Sequence, residues 1–173
     1  MSTKTLIPRF SASRFTQKKG RIVVIQIQVV VKIINMTKNI LVLCTGNSCR
    51  SQIMHGFLEK FAGEKAKIYS AGIETHGLNP NAVKTMKEVG IDISHHTSNT
   101  ILEYKDVEFD FIITVCDHAN ENCPYFPANA VRLHHNFKDP AKAKGTEEEL
   151  RKEFAEARNE IQKYAQNFVE KYI

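Results

Sequence analysis

Residues 39–51, NILVLCTGNSCRS, join an unbroken apolar run to a polar segment rich in turn formers. Asn39–Leu43 reads as a short strand buried on both faces, because it shows no polar alternation. From Ser51 onward Ile53, Met54, Phe57, Leu58 and Phe61 recur at helical spacing, and Gly63 supplies a stop. A buried strand, a tight loop and an amphipathic helix in succession form the opening unit of a parallel α/β fold.

The same alternation continues downstream. Lys67–Ser70 reads as a second strand closed by Ala71-Gly72. Asn79-Pro80 starts a helix through Val83, Met86 and Val89, stopped by Gly90. Thr97–Tyr104 is expected to be helical, Phe109–Val115 to be a third buried strand and Ala130–Leu133 a short fourth. A long last helix is expected from Thr146 to Tyr172, with Leu150, Phe154, Ala157, Ile161, Tyr164, Phe168 and Tyr172 as its apolar stripe. Thr146 and Glu149 form a capping box at its start. The expected architecture is a three-layer α/β/α domain around a four-stranded parallel sheet. Ligands in such folds sit beyond the carboxyl ends of the strands. The loops after strands one, three and four carry Cys44–Arg50, Cys116–Cys123 and Asp139, so three chemically loaded loops converge on one edge.

The first loop has the form C-x5-R-S. Between a strand and a helix, successive backbone N–H groups can turn inward and make a nest for a tetrahedral oxyanion. Thr45, Gly46, Asn47, Ser48, Cys49, Arg50 and Ser51 would line it, with Gly46 and Asn47 tolerating the positive φ that such a turn needs. Arg50 can grip two oxyanion oxygens at once. The positive field is expected to lower the Cys44 pKa, and Ser51 can donate to the thiolate. Asp139-Pro140 could place a general acid over the nest, though Asp-Pro is also an ordinary turn. Six residues separate Cys116 from Cys123 and four separate Cys44 from Cys49, whereas structural zinc wants tighter pairs. A static disulfide framework has no secretory signal to support it. His95-His96 and His134-His135 receive no role, since no carboxylate spacing marks a metal site, and His76 falls in a loop near the entrance.

LVLCTGNSCRSQ resembles the signature loop of the low-molecular-weight protein tyrosine phosphatase superfamily, and more closely that of its thioredoxin-coupled arsenate reductase branch. The similarity runs from about residue 38 to the C-terminus and takes in YSAGIETHGLNPNAV, VGIDISHHTS, the two later cysteines and Asp139-Pro140. The resemblance implies Cys44 as nucleophile, Arg50 as oxyanion ligand, Asp139 as general acid and a structural Cys49. It also implies a redox relay through Cys116 and Cys123. A phosphatase needs one cysteine, because water finishes its reaction, but a reductase must deliver two electrons and so needs resolving thiols. The function implied is reduction of arsenate to arsenite with thioredoxin as electron donor, in a cytoplasmic monomer without a cofactor. The alternative is a phosphatase acting on phosphotyrosine or small phosphoesters, and a non-catalytic sensor is a third reading. Some reductases of this kind bind K⁺ through the loop Asn, a Glu and an Asp. Here those positions fall at Asn47, His55 and Asn99, so two anionic ligands are missing. Nearly equal activity in K⁺ and Na⁺ buffers is therefore expected, and a several-fold activation by K⁺ in a steady-state assay would contradict it.

The 173 residues are 42% hydrophobic, enough for one domain that buries roughly 70% of its unfolded-chain surface. Residues 1–35 hold seven bases and no acid. That leaves 17 bases against 19 acids in residues 36–173, which takes away the electrostatic basis for nucleic-acid binding. The apolar run Ile22–Ile34 is interrupted by Gln26, Gln28 and Lys32 and falls short of the ~20 apolar residues of a membrane span. Its Arg and Ser without acids resemble a transit peptide, but the simplest expectation is that translation begins at Met36. Residues 1–37 are accordingly taken as an N-terminal extension, untranslated or disordered, and residues 38–173 as the catalytic domain. A chain starting at Met36 should then fold and work as well as the longer one.

Overall fold

The computed structural model describes residues 37–122 and 130–173. The N-terminal extension up to residue 36, and the segment 123–129 with Cys123, lie outside the described residues. Four parallel strands form one sheet in the order β2-β1-β3-β4: β1 Lys38–Cys44, β2 Ala66–Gly72, β3 Phe111–Thr114 and β4 Val131–His134. β1 is central, pairing with β2 from Lys38↔Ala66 to Cys44↔Gly72 and with β3 from Ile40↔Phe111 to Leu43↔Thr114. Among the described residues four α-helices accompany them: α1 Arg50–Ala62, α2 Pro80–Lys87, α3 Asp117–Asn122 and α4 Glu147–Tyr172.

The unbroken hydrophobicity of β1 now has its cause. Successive side chains point to opposite faces, and both faces are covered. Ile40, Val42 and Cys44 join Ile53, Phe57, Met86, Phe154, Ile161 and Phe168 under α1, α2 and α4. Leu41 and Leu43 turn the other way and meet Ala71, Ile101, Phe109 and Ile112, with Tyr69 and Tyr104 at the margin.

The second layer is thinner than the sequence suggests. Of Thr97–Tyr104 only Ile101–Tyr104 is helical, as a single 3₁₀ turn. Residues 99 and 100 are drawn to the sheet instead: the Gly72 amide donates to the Asn99 carbonyl at 2.9 Å, and Gly72 and Thr100 form a parallel bridge. A helix can start only beyond them, where Thr100 and Glu103 build a capping box.

The long helix follows its pattern more closely. Thr146 accepts from the Glu149 amide, and the Glu149 carboxylate accepts from the Thr146 amide at 2.7 Å. Its buried residues are Phe154, Ala157, Ile161, Ala165 and Phe168, and they also include Arg158, which the apolar stripe omits. Arg158 donates to the Thr85 carbonyl at 2.9 Å and to Glu88 at 3.0 Å, closing the C-terminal end of α2 with a positive charge.

In this strand order the chain leaves β1 for β2 on one side and returns to β3 on the other. The crevice at the carboxyl ends of β1 and β3 is the switch point where α/β folds bind ligands. Cys44 ends β1, and Cys116 lies two residues beyond β3.

Candidate active site

The loop from Cys44 to Ser51 wraps its own sulfur. The Asn47 amide donates to Cys44 Sγ at 3.1 Å, and Ser51 Oγ lies 3.0 Å from the same atom. Among the described residues Asn47 is the one non-glycine with positive φ, 44°, and Gly46 does not share that conformation. Gly46 is small for another reason: a Cβ there would run into the His76 ring, 2.7 Å from its Cγ. Gly72 has a comparable role beneath the loop, because a Cβ on it would strike the Glu74 carbonyl and come within 2.6 Å of the Thr45 carbonyl.

A chain of hydrogen bonds fixes the donors. The Asn99 amide can only donate, and it reaches Asn47 Oδ1 at 2.9 Å. Asn47 Nδ2 is therefore the end that meets Ser51 Oγ, at 3.1 Å. With its oxygen occupied by that donor, Ser51 can point its own proton at Cys44. Gln52 Nε2 donates to Asn47 Oδ1 at 2.9 Å and to the Thr97 carbonyl at 2.9 Å, holding the loop from behind.

The expected fall in the Cys44 pKa is not what this geometry produces. Burial pushes the thiol up from its ordinary value, and Cys116 adds to the rise. The Ser51 hydroxyl, the Asn47 amide and Arg50 pull it down without overcoming the loss of solvent. Cys49 is buried too, and burial followed by the charge of Asp139 drives its thiol far up, as suits a packing role.

Arg50, at the start of α1, spans the pocket. It donates to the Phe137 carbonyl at 3.0 Å and pairs with Asp139 at 2.9 Å. Both partners are mostly buried, their side chains 12% and 21% exposed. Asp139 also caps the 3₁₀ turn Pro140–Lys142 by accepting from the Ala141 amide at 3.1 Å. Asp139-Pro140 is thus the turn that the sequence announces, and that turn carries Asp139 to Arg50.

Cys44, Arg50, Cys116 and Asp139 line a single cavity of about 560 Å³, with His76 and His118 at its border. Cys116 is 4% exposed, and Thr45 Oγ1 lies 3.4 Å from its sulfur. Cys44, Cys49 and Cys116 are free thiols. Cys123 lies outside the described residues.

One cluster escaped the sequence reading. His55 and Glu59, four residues apart on α1, meet His96 on the far side of Gln52 from the nucleophile. The signal was a His-x3-Glu spacing, which puts both side chains on one helix face.

The sequence profile of the family described as "Low molecular weight phosphotyrosine protein phosphatase" matches residues 39–172. An "Arsenate reductase" of Halalkalibacterium halodurans is 52% identical over 133 residues, covering 77% of this chain and 96% of that protein. An "Arsenate reductase" of Bacillus subtilis is 50% identical over 133 residues, with the same coverage of both chains. A solved structure described as "An arsenate reductase in oxidized state" superposes with a TM-score of 0.67 at 27% identity, over 78% of this chain and 98% of that one. A low molecular weight protein tyrosine phosphatase from T. tengcongensis shares the fold, with a TM-score of 0.65 at 22% identity over 78% of this chain and 99% of that one.

Proposed function

We infer that this chain, which belongs to the low molecular weight phosphotyrosine protein phosphatase family, is an arsenate reductase that converts arsenate to arsenite. The observation that carries the reading is a second thiol, Cys116, opening into the same cavity as Cys44. Phosphate and arsenate fit one oxyanion nest about equally well, so the nest does not distinguish a hydrolase from a reductase. The phosphatase alternative has no use for Cys116.

In the proposed cycle the Cys44 thiolate attacks arsenic and forms an S–As bond. The departing oxygen leaves as water, with Asp139 supplying a proton. Arsenate entering the nest competes with Asp139 for Arg50, which frees the carboxyl group for that step. The Cys116 thiolate then attacks Cys44 Sγ. A Cys44–Cys116 bond forms, the S–As bond breaks, and its electron pair leaves with arsenic as arsenite. Cys123 next attacks Cys116, restoring the Cys44 thiol and giving a Cys116–Cys123 disulfide for thioredoxin to reduce. Thr45, Gly46, Asn47, Ser48, Cys49, Arg50 and Ser51 hold the oxyanion. The protein is proposed to work as a monomer in the cytoplasm. Among the described residues no helix is long and apolar enough to cross a membrane.

The direct test is arsenate-dependent NADPH oxidation with thioredoxin and its reductase, run beside aryl-phosphate hydrolysis. Arsenate turnover far above phosphate-ester turnover is expected, and the reverse ranking would favour the phosphatase reading.

The raised Cys44 pKa gives a prediction about pH. Reactivity follows the thiolate, so the rate climbs with pH through the Cys44 pKa. Ser51→Ala removes a donor that holds that pKa down, so the pKa rises further. A hydrogen bond to a charged group contributes about 1.5 kcal/mol, or about one pH unit. Iodoacetamide alkylation of Cys44, followed by peptide mapping against pH, should show its rising limb displaced upward by about that much. A displacement downward would mean that Ser51 accepts rather than donates.

A further inference from the structure

We propose that His55, Glu59 and His96 form a binding site for a divalent transition-metal ion of the zinc class, separate from the thiol cavity. The three offer ligand atoms that all lie within 4.8 Å of one another. His55 Nε2 is 3.2 Å from one Glu59 oxygen, and His96 Nε2 is 3.4 Å from the other. Two ligand bonds of roughly 2.1 Å at a tetrahedral angle set neighbouring donor atoms about 3.4 Å apart. The cluster is already near that spacing, and two imidazoles with one carboxylate are a known zinc donor set that leaves a fourth position for water.

The hydrogen bonds decide which ring nitrogens are available. The Asn99 amide fixes Asn47 Oδ1 as an acceptor, and Gln52 Nε2 donates to that oxygen. Gln52 Oε1 is thus the atom that faces His96 Nδ1 at 3.0 Å, and Nδ1 must carry a hydrogen to meet it. A neutral His96 then points the lone pair of Nε2 at a carboxylate oxygen. Nε2 is buried and makes no hydrogen bond. Two acceptors facing each other repel, and a cation between them removes the repulsion. A proton serves that purpose for one nitrogen. A metal ion serves it for both imidazoles at once.

His55 is arranged in the same way. Its Nδ1 lies 3.0 Å from Ser70 Oγ, which leaves Nε2 for the metal. Each ring would thus give its second N–H to an outer partner, Gln52 for His96 and Ser70 for His55, the usual support for ligating histidines. Access is open on one side only: the Glu59 side chain is 48% exposed, and that of His96 only 5%. This set shares His55 with the cation position that the resemblance implies, but not Asn47, whose Oδ1 already accepts from two N–H donors, nor Asn99. It stands at the outer end of the chain of hydrogen bonds that runs through Gln52 and Asn47 to Cys44.

Titrating Co²⁺ into the reduced, untagged full chain tests the proposal without reference to turnover. A site of nitrogen and oxygen donors gives visible d–d bands and lacks the near-ultraviolet charge-transfer band of a cobalt–thiolate bond. We expect one such site per chain, displaced by Zn²⁺. Glu59→Gln should weaken it at least about ten-fold and Ser70→Ala by about ten-fold, while His135→Gln leaves it unchanged. Glu59 is half-exposed, so its variant keeps the fold and decides the outcome even where His96→Gln is unstable. Absence of binding, a spectrum of thiolate bands alone, or a thiolate-free site that Glu59→Gln does not weaken would overturn the proposal and leave the cluster as a proton-sharing trio.

Discussion

Cys44→Ser is expected to abolish arsenate reduction and any hydrolysis of aryl phosphates while leaving a folded protein. A serine hydroxyl in this buried nest supplies no alkoxide near neutral pH, and an oxygen cannot form the disulfide that carries electrons away. Loss of the nucleophile should cost at least about a thousand-fold, since groups that act as a unit fail together. The fold should tolerate the change. Ser51 and the Asn47 amide, 3.0 and 3.1 Å from the sulfur, offer a hydroxyl the same partners, so the polar group introduced is not left unsatisfied. NADPH-coupled turnover and far-UV circular dichroism on the same sample check both halves. Measurable reduction by a well-folded Cys44→Ser chain would exclude this chemistry and shift attention to Cys116 as the attacking thiol.

The contacts around Cys44 were readable in the sequence, but their balance was not. A strand, a C-x5-R-S loop and a helix specify that Asn47 and Ser51 surround the sulfur, because the chain is continuous there. The sign of the pKa shift depends on how completely the loop is sealed. Ile40 and Val42 of β1, Ile53 of α1 and Phe137, from three separate stretches, share one buried cluster with Cys44, and no local pattern reports that sum. The same divide runs through the fold. Pro80 behind Asn79, and the Thr146–Glu149 box, mark helix starts because capping is local. The shortened turn at Ile101 is set by a bridge to Gly72, almost thirty residues away, and overrides a helical pattern. Arg158 looks like a solvated charge by period, yet it is buried because α2 ends against it.

Asp139 and His96 illustrate the limit at the site itself. Asp-Pro announces a turn, and only the return of Asp139 to Arg50, eighty-nine positions earlier, joins that turn to the oxyanion loop. His96 is legible as one of two adjacent histidines, and its meaning comes from Gln52, forty-four positions back. In both cases a polar side chain takes its role from a partner that only the folded topology supplies.

Cys123→Ser is expected to release one arsenite per chain and then stop, with Cys44 and Cys116 joined. The physical ground is the geometry of α3. Asp117–Asn122 is helical, and the Asn120 amide donates to the Cys116 carbonyl at 3.1 Å, so Cys116 enters the first turn. Six helical steps of ~1.5 Å already hold the α-carbons of residues 116 and 122 ~9 Å apart, whereas a disulfide needs about 4.4–6.8 Å. The proposed relay is therefore expected to unwind α3. A helix this short is marginal without tertiary support. The support it has is mixed. Ala119 is fully buried, and Asp117 pairs with His134 at 3.1 Å, but Asp117, His118, Asn120 and Asn122 are weak helix formers. Unwinding loses a few hydrogen bonds at about 1 kcal/mol each, less than one disulfide commonly returns. Oxidation of the native chain by arsenate should then raise amide exchange across residues 116–124 and leave β1 and β3 protected. In Cys123→Ser the Cys44–Cys116 bond forms but has no thiol to resolve it, and peptide mapping after arsenate should find that disulfide. Repeated turnover of the variant with thioredoxin would mean that thioredoxin attacks the first disulfide directly, and that Cys123 is a loop residue without a part in the relay.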